Sequence, residues 1–437
     1  MINFFSIRIS LLASCLFLQS CSLFDEPEKP LEFETVYDEQ GVLRSQPPNW
    51  VVDLNGGGND MVKGMSNILV HDSIVVAITS EDKSNNWYLT GISTNTGKFK
   101  WKWNEIITQE EWLLQPNINV NSKGIFKFAI KYKSANTEVY GIDLMTGKKN
   151  WTIQRGIPWN VDFEAHNGFV YTTYVDISAN QDTSKLETVY QIDPLTGAYD
   201  GICNLKLDSV DDRLGIYGQF KGLQVFGDEL NEFWFSPYTQ LQPNDSTWGD
   251  CFLALYDITN REYIYDSIPL IGRVRSFGPT TTYNNRLAFI NAAEHVFGID
   301  IMTGEIIWDT GLIDQGGFSL HVVDDILIMG QYRGSVSYMY GKDPESGQTL
   351  WRTENGGGAE ELQSHNGIVY WADRGDGKLW AMEAKTGEVL WKINRPDPES
   401  DSWFVHGKLG ILPGENGEKG KLFASTYRRL YCYELIR

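Results

Sequence analysis

Apolar residues run in short stretches along the chain, and each stretch ends in a polar or glycine-containing turn. Ile68-Leu69-Val70 is followed by His71-Asp72-Ser73 and then by Ile74 to Ile78, and His365-Asn366-Gly367 leads into Ile368-Val369-Tyr370-Trp371. Runs this short, rich in β-branched and aromatic residues and separated by turn formers, predict strands joined by tight hairpins. Long Ala/Glu/Lys/Leu helical stretches are missing.

One pattern recurs among these runs. It reads Asp143-Leu144-Met145-Thr146-Gly147 with Trp151 four residues later, and again Asp300 to Gly304 with Trp308. Further copies are Asp343 to Gly347 with Trp351, Glu383 to Gly387 with Trp391, and Ser93 to Gly97 with Trp101. Two degenerate copies fill the middle of the chain: Asp193 to Gly197, where Gly201 stands in place of Trp, and Asp257-Ile258-Thr259-Asn260, where Ile264 does.

The unit has a physical reading. The leading carboxylate caps the backbone of the next residues, and glycine supplies the positive φ of a tight turn. The indole then falls at a fixed place on the strand that follows. Burying one such ring removes ~150–250 Å² from water, worth about 4–6 kcal/mol as an upper estimate. With the upstream hairpins, each unit holds four strands in ~40–60 residues, the size of a propeller blade.

The motif resembles the tryptophan-docking repeat of the PQQ-type propeller superfamily, in which the Trp packs between neighbouring blades, and the likeness runs from about Trp50 to Arg437. Outer strands fall at Trp101, Trp151, Gly201, Ile264, Trp308, Trp351 and Trp391, which makes seven. An eighth is completed by the N-terminus, because Trp50-Val51-Val52-Asp53-Leu54-Asn55-Gly56 is similar to Trp351-Arg352-Thr353-Glu354-Asn355-Gly356, while Leu430 to Glu434 aligns with the strand Leu379 to Glu383. The expectation is an all-β, eight-bladed propeller of four-stranded antiparallel blades, its last blade closed by the N-terminal strand. Trp50, Trp101, Trp151, Trp308, Trp351 and Trp391 are its docking rings.

Composition agrees: the 437 residues include 15 Trp, 21 Tyr, 21 Phe and 42 Gly. The net charge is −20, and because Arg8 is the one charged residue among the first twenty, removing them leaves −21. Such a body repels nucleic acid and anionic membrane surfaces. Membrane residence therefore needs an anchor.

Residues 1–20 carry Arg8 and an apolar run from Ile9 to Leu18, too short for a bilayer span of ~20 residues. Leu18-Gln19-Ser20-Cys21 resembles a lipobox, with Cys21 as the lipidated residue. Leu12-Ala13-Ser14-Cys15 is a rival box, and an ordinary secretory signal is the alternative to both. The expected organisation is a lipoprotein signal peptide at 1–20, an acidic tether at 21–47 and the propeller at 48–437. Cys203, Cys251 and Cys432 have no metal-ligand or disulfide spacing and read as buried thiols.

Candidate chemistry is sparse. His71, His166, His365 and His406 all occupy the first hairpin turn of a blade and read as turn residues. Asp373 to Gly377 is similar to a calcium loop but lacks the later acidic ligands, so a hairpin turn is expected and no metal. Trp112, Trp159 and Trp403 follow docking positions by about ten residues and are expected in loops at one mouth of the channel. A long insertion, about 227 to 250, offers Trp234 and Trp248. These five rings are the candidates for binding a peptide or sugar.

In the superfamily, quinoprotein dehydrogenases bind pyrroloquinoline quinone and a metal, many with adjacent cysteines beside the cofactor. This chain has no Cys-Cys pair, and the expectation is no enzyme and no cofactor. Anchor and propeller together resemble the BamB lipoproteins of the outer-membrane β-barrel assembly machinery. That resemblance implies a non-catalytic scaffold with protein partners in a membrane complex, on the periplasmic face or the cell surface. A glycan- or peptide-binding accessory lipoprotein of a transport or secretion system is the alternative, followed by a quinone-dependent dehydrogenase.

Overall fold

The computed structural model describes residues 33–437 except 55–67, 81–86, 104–110, 121–122, 131–136, 156–162, 176–186, 206–218, 221, 229, 242–248, 275–276, 293–294, 312–318, 334–335, 355–360, 374–375, 395–403, 405–408, 415–417 and 427. Every regular element among them is a β-strand, and the strands form eight sheets. Blades one to seven occupy residues 69–102, 111–155, 163–205, 219–274, 277–309, 320–354 and 363–393. Each is an antiparallel meander whose strands pair in chain order; in blade four the innermost place is shared by Gln219–Phe220 and Gln224–Asp228.

Blade eight takes three strands from the C-terminus, Gly410–Leu412, Lys421–Ser425 and Arg429–Glu434. Its fourth is Trp50–Asp53, antiparallel to Arg429–Glu434, with Trp50 opposite Cys432 and Asp53 opposite Arg429. The first strands of successive blades touch one another around the axis, and Gly410–Leu412 meets Leu69–His71 of blade one. The ring is thereby closed by strands from both ends of the chain.

The core is divided among the seams between blades. Ile125 and Val139 of blade two pack with Phe163 and Val170 of blade three. Leu287 and Phe289 of blade five pack with Leu327 and Met329 of blade six. Alternate residues of each strand thus serve the seam on either side, as the two-residue period of a strand requires.

The N-terminal stretch departs from the expected tether. Within 21–47, Val36–Tyr37 and Leu43–Ser45 form a hairpin laid on the outer strand of blade seven, Leu43 opposite Trp391. Its turn is built by Asp38, whose Oδ1 accepts the backbone N–H of Gln40 and Val42, both at 2.9 Å, while Gly41 takes φ +80°. The Val42 N–H bond and the Arg44 guanidinium hold the Asp38 carboxyl below the usual range. Val42 and Leu43 are buried, and that burial is what binds the segment to the blade.

Candidate functional site

The recurring turns and rings form one repeated joint. In blade two, the Asp143 carboxylate accepts the N–H of Met145 and Thr146 and the Thr146 hydroxyl. The same capping recurs at Asp193, Asp300 and Asp343. Hydrogen bonds from Thr196 and Ser346 hold the Asp193 and Asp343 carboxyls below their ordinary range. The turn glycine then has φ near +70°, which side chains with a Cβ resist.

Five of the six docking indoles donate Nε1–H to a carbonyl of the next blade's turn. Trp50 bonds Thr94 O at 3.1 Å, Trp101 bonds Leu144 O at 2.7 Å and Trp151 bonds Pro194 O at 3.0 Å. Trp308 bonds Pro344 O and Trp351 bonds Ala384 O, both at 2.9 Å. Each of these rings lies against the turn glycine of that next blade, Gly97, Gly147, Gly197, Gly347 or Gly387 in turn. Trp50 therefore joins blade eight to blade one. Trp391 faces the blade that has no such turn, and Tyr370, Tyr433 and Leu43 cover it.

A second set of glycines completes the joint. Gly91, Gly141, Gly298 and Gly341 lie opposite Trp101, Trp151, Trp308 and Trp351 in their own blades, where a Cβ would come within 2.1–2.2 Å of the ring. The register slips by one residue at each of these pairs, a bulge of the kind that re-aims a side chain. Each of these four indoles is thus held between two glycines, one from each blade. The signal for the second set was legible: glycine stands two residues before the leading Asp or Ser.

In blade four the structure moves the docking position from Ile264 to Tyr265. Tyr265 is opposite Leu255, its hydroxyl donates to Ile301 O of blade five at 2.5 Å, and Ile268 covers Gly304. Ile264 is 42% exposed. Asn260 has the role of Thr146, its N–H bonded to Asp257 Oδ1, and Arg261 takes the positive φ of the glycine. Aligning Asn260 with the glycine placed the ring one residue early. Tyr265→Phe is expected to cost about 1–2 kcal/mol in a denaturant melt, because a carbonyl at the seam loses its donor. Ile264→Ala should stay within ~0.5 kcal/mol.

Trp234 is not a surface ring. It lies on Asn231–Leu241, the second strand of blade four and no insertion, is fully buried, and donates Nε1–H to Cys203 Sγ of blade three at 3.1 Å. It stacks on Tyr256 at 5.9 Å, and Tyr263 meets both rings edge-on. This cluster fills the seam where Gly201 has replaced the indole.

Among the other candidates, Trp112 lies on Glu111–Val120, the first strand of blade two rather than a loop. Trp159, Trp248, Trp403 and the proposed lipidation residue Cys21 lie outside the described residues, as does His406. His71, His166 and His365 each end the first strand of a blade and precede a residue with φ near +46°. Asp373 caps a hairpin turn, accepting the Asp376 N–H and receiving Gly377 N–H on its carbonyl.

Cys203, Cys251 and Cys432 are free and buried in three different blades. Burial pushes the Cys203 thiol up to about 11, that of Cys432 up to about 12, and that of Cys251 well above its ordinary value. Thiols so placed stay protonated and packed.

Joints and ring make the protein an eight-bladed β-propeller. Residues 282–416, reaching from blade five into blade eight, match the family model described as outer membrane protein assembly factor BamB. Polyvinylalcohol dehydrogenase from Sphingopyxis sp. (strain 113P3) is 29% identical over 126 residues, 24% of this chain and 18% of that protein. The chain thus spans under a fifth of that relative's length.

Among solved structures, the quinohemoprotein alcohol dehydrogenase ADHIIG from Pseudomonas putida HK5 is 12% identical, with a TM-score of 0.54 over 92% of this chain and 79% of that one. BamB from Moraxella catarrhalis is 12% identical, with a TM-score of 0.46 over 89% and 98%. At 12% identity the likeness to the alcohol dehydrogenase speaks for the fold alone.

Proposed function

We propose that the protein is a non-catalytic outer-membrane lipoprotein scaffold, anchored through Cys21, that holds protein partners in a BamB-like role in outer-membrane protein assembly. The observation that carries this reading is the match of residues 282–416 to the BamB family model. The three described thiols are packed in separate seams.

The likeness to polyvinylalcohol dehydrogenase favours a second reading, a quinone-dependent dehydrogenase. Against it, the chain has no adjacent cysteine pair of the kind that accompanies that group in many relatives. Affinity purification of the intact chain from its native membrane tests the proposal. Barrel-assembly subunits should co-purify. Their absence, or alcohol oxidation by the purified chain on adding pyrroloquinoline quinone, would overturn it.

A further inference from the structure

Exposed apolar side chains are unevenly spread around the ring. Eight of the thirteen large ones among the described residues belong to blades three, four and five. At the second residue after the leading Asp, Ser or Glu of the outer turn, blades one, six and seven carry Asn95, Glu345 and Lys385, whereas blade three carries Leu195, 63% exposed, blade five carries Met302, 44% exposed, and blade two, at the edge of the same stretch, carries Met145, 40% exposed. Blade four has Thr259 there, but its first hairpin, at the same end of the blade, projects Leu230, 78% exposed. Tyr199, Ile264 and Ile306 continue the apolar surface onto the start of each outer strand. A turn tip contributes nothing to its own blade by being apolar, so exposed apolar tips gathered at one end of neighbouring blades mark a contact surface.

The charges around these tips identify what they contact. Asp200, Asp228, Glu262 and Glu305 are exposed among these side chains. Among the described residues of this surface the cations are Arg261 and Arg286, and both face carboxylates: Arg261 faces Asp200 at 3.7 Å, and Arg286 faces Asp300 at 3.7 Å and Glu345 at 3.4 Å. An acidic rim opposes approach to an anionic bilayer and favours a cationic partner. In a ring of eight, blade four also lies across from blade eight, where the N-terminal segment enters.

We propose that the turn-side rim of blades three to five is a docking surface for a protein segment in which apolar residues alternate with Lys and Arg. The surface deepens the scaffold reading, since it supplies the chemistry of one partner contact, and it rests on that reading for its role in the cell. The probes are three 14-residue peptides of one alternating pattern, Leu with Lys, Leu with Ser and Leu with Glu, titrated against the labelled full chain by fluorescence anisotropy. The Lys peptide should bind, the Ser peptide at least tenfold more weakly, and the Glu peptide not at all.

The triple variant Leu195→Ser, Leu230→Ser, Met302→Ser should weaken Lys-peptide binding at least tenfold with an unchanged melting temperature. Leu350→Ser on blade six should leave it unaltered. The proposal is overturned if the triple variant binds like the parent, or if the Ser peptide matches the Lys peptide. It is equally overturned if vesicles of anionic phospholipid bind in place of the peptide, or if the rim proves to pair two copies of this chain. Failed co-purification with barrel-assembly subunits alongside intact peptide binding would strike the scaffold reading and leave the surface standing.

Discussion

Removing residues 1–54 is expected to leave a chain that aggregates or melts without cooperativity, whereas removing residues 1–47 should leave a folded protein. The longer deletion takes away the fourth strand of blade eight, with Val52 and Leu54 buried and Trp50 bonded to Thr94 of blade one. It also removes the hairpin that buries Val42 and Leu43 against blade seven. At ~1.5–3 kcal/mol for each buried apolar side chain, the combined loss is on the order of 10 kcal/mol, comparable to the whole net stability of an ordinary domain. The unpaired edge of Arg429–Glu434 would then invite association with other chains. The shorter deletion keeps the closing strand and loses the hairpin alone, a cost of roughly 3–6 kcal/mol by the same measure. Soluble yield and circular-dichroism melts of the two truncations separate these outcomes. A melting temperature unchanged by the longer deletion would mean that the ring does not depend on its N-terminal strand.

Fold and closure were legible because they are written in a repeated, local pattern: a capped turn, a glycine and an indole at constant spacing. Trp50 was found by the same logic, since its surroundings resemble those of Trp351. Where a copy decays, the pattern loses its ruler. In blade four Arg261 stands at the position of positive φ with no glycine to mark it, so the ring was placed at exposed Ile264 rather than at Tyr265. Trp234 could not be read at all from spacing, because it substitutes for a missing ring from the far side of the seam, a relation between two blades that no single repeat contains. The hairpin at 36–45 was legible in part: Asp38 to Gly41 is a turn sequence between two apolar pairs, hidden by the acidic composition around it. The apolar rim of blades three to five has no sequence signature, for the opposite reason. Leu195 and Met302 sit inside well-formed repeats, and nothing but their exposure distinguishes them from core residues.

Trp308→Ala is expected to cost about 3–5 kcal/mol, the range for deleting a large packed aromatic. The ring stacks on Phe289 at 5.6 Å, donates to Pro344 O and lies against Gly347 of the next blade. Gly298→Ala should be nearly as damaging although it adds a single methyl group, because the new Cβ would stand 2.2 Å from the Trp308 ring. The indole must then leave its place, and the hydrogen bond across the seam goes with it. The two substitutions act on one joint, so their effects should not add. With Trp308 already replaced by Ala, the methyl group at 298 has room, and the double variant should be no less stable than Trp308→Ala alone. Gly201→Ala is the internal control. In blade three the indole is missing, the nearest atom to an added Cβ is Thr188 Cγ2 at 3.4 Å, and the change should stay within about 0.5 kcal/mol. Equilibrium denaturation of the four variants tests the joint directly. Additive losses at 298 and 308, or equal losses at 201 and 298, would mean that the glycines serve the backbone rather than make room for the ring.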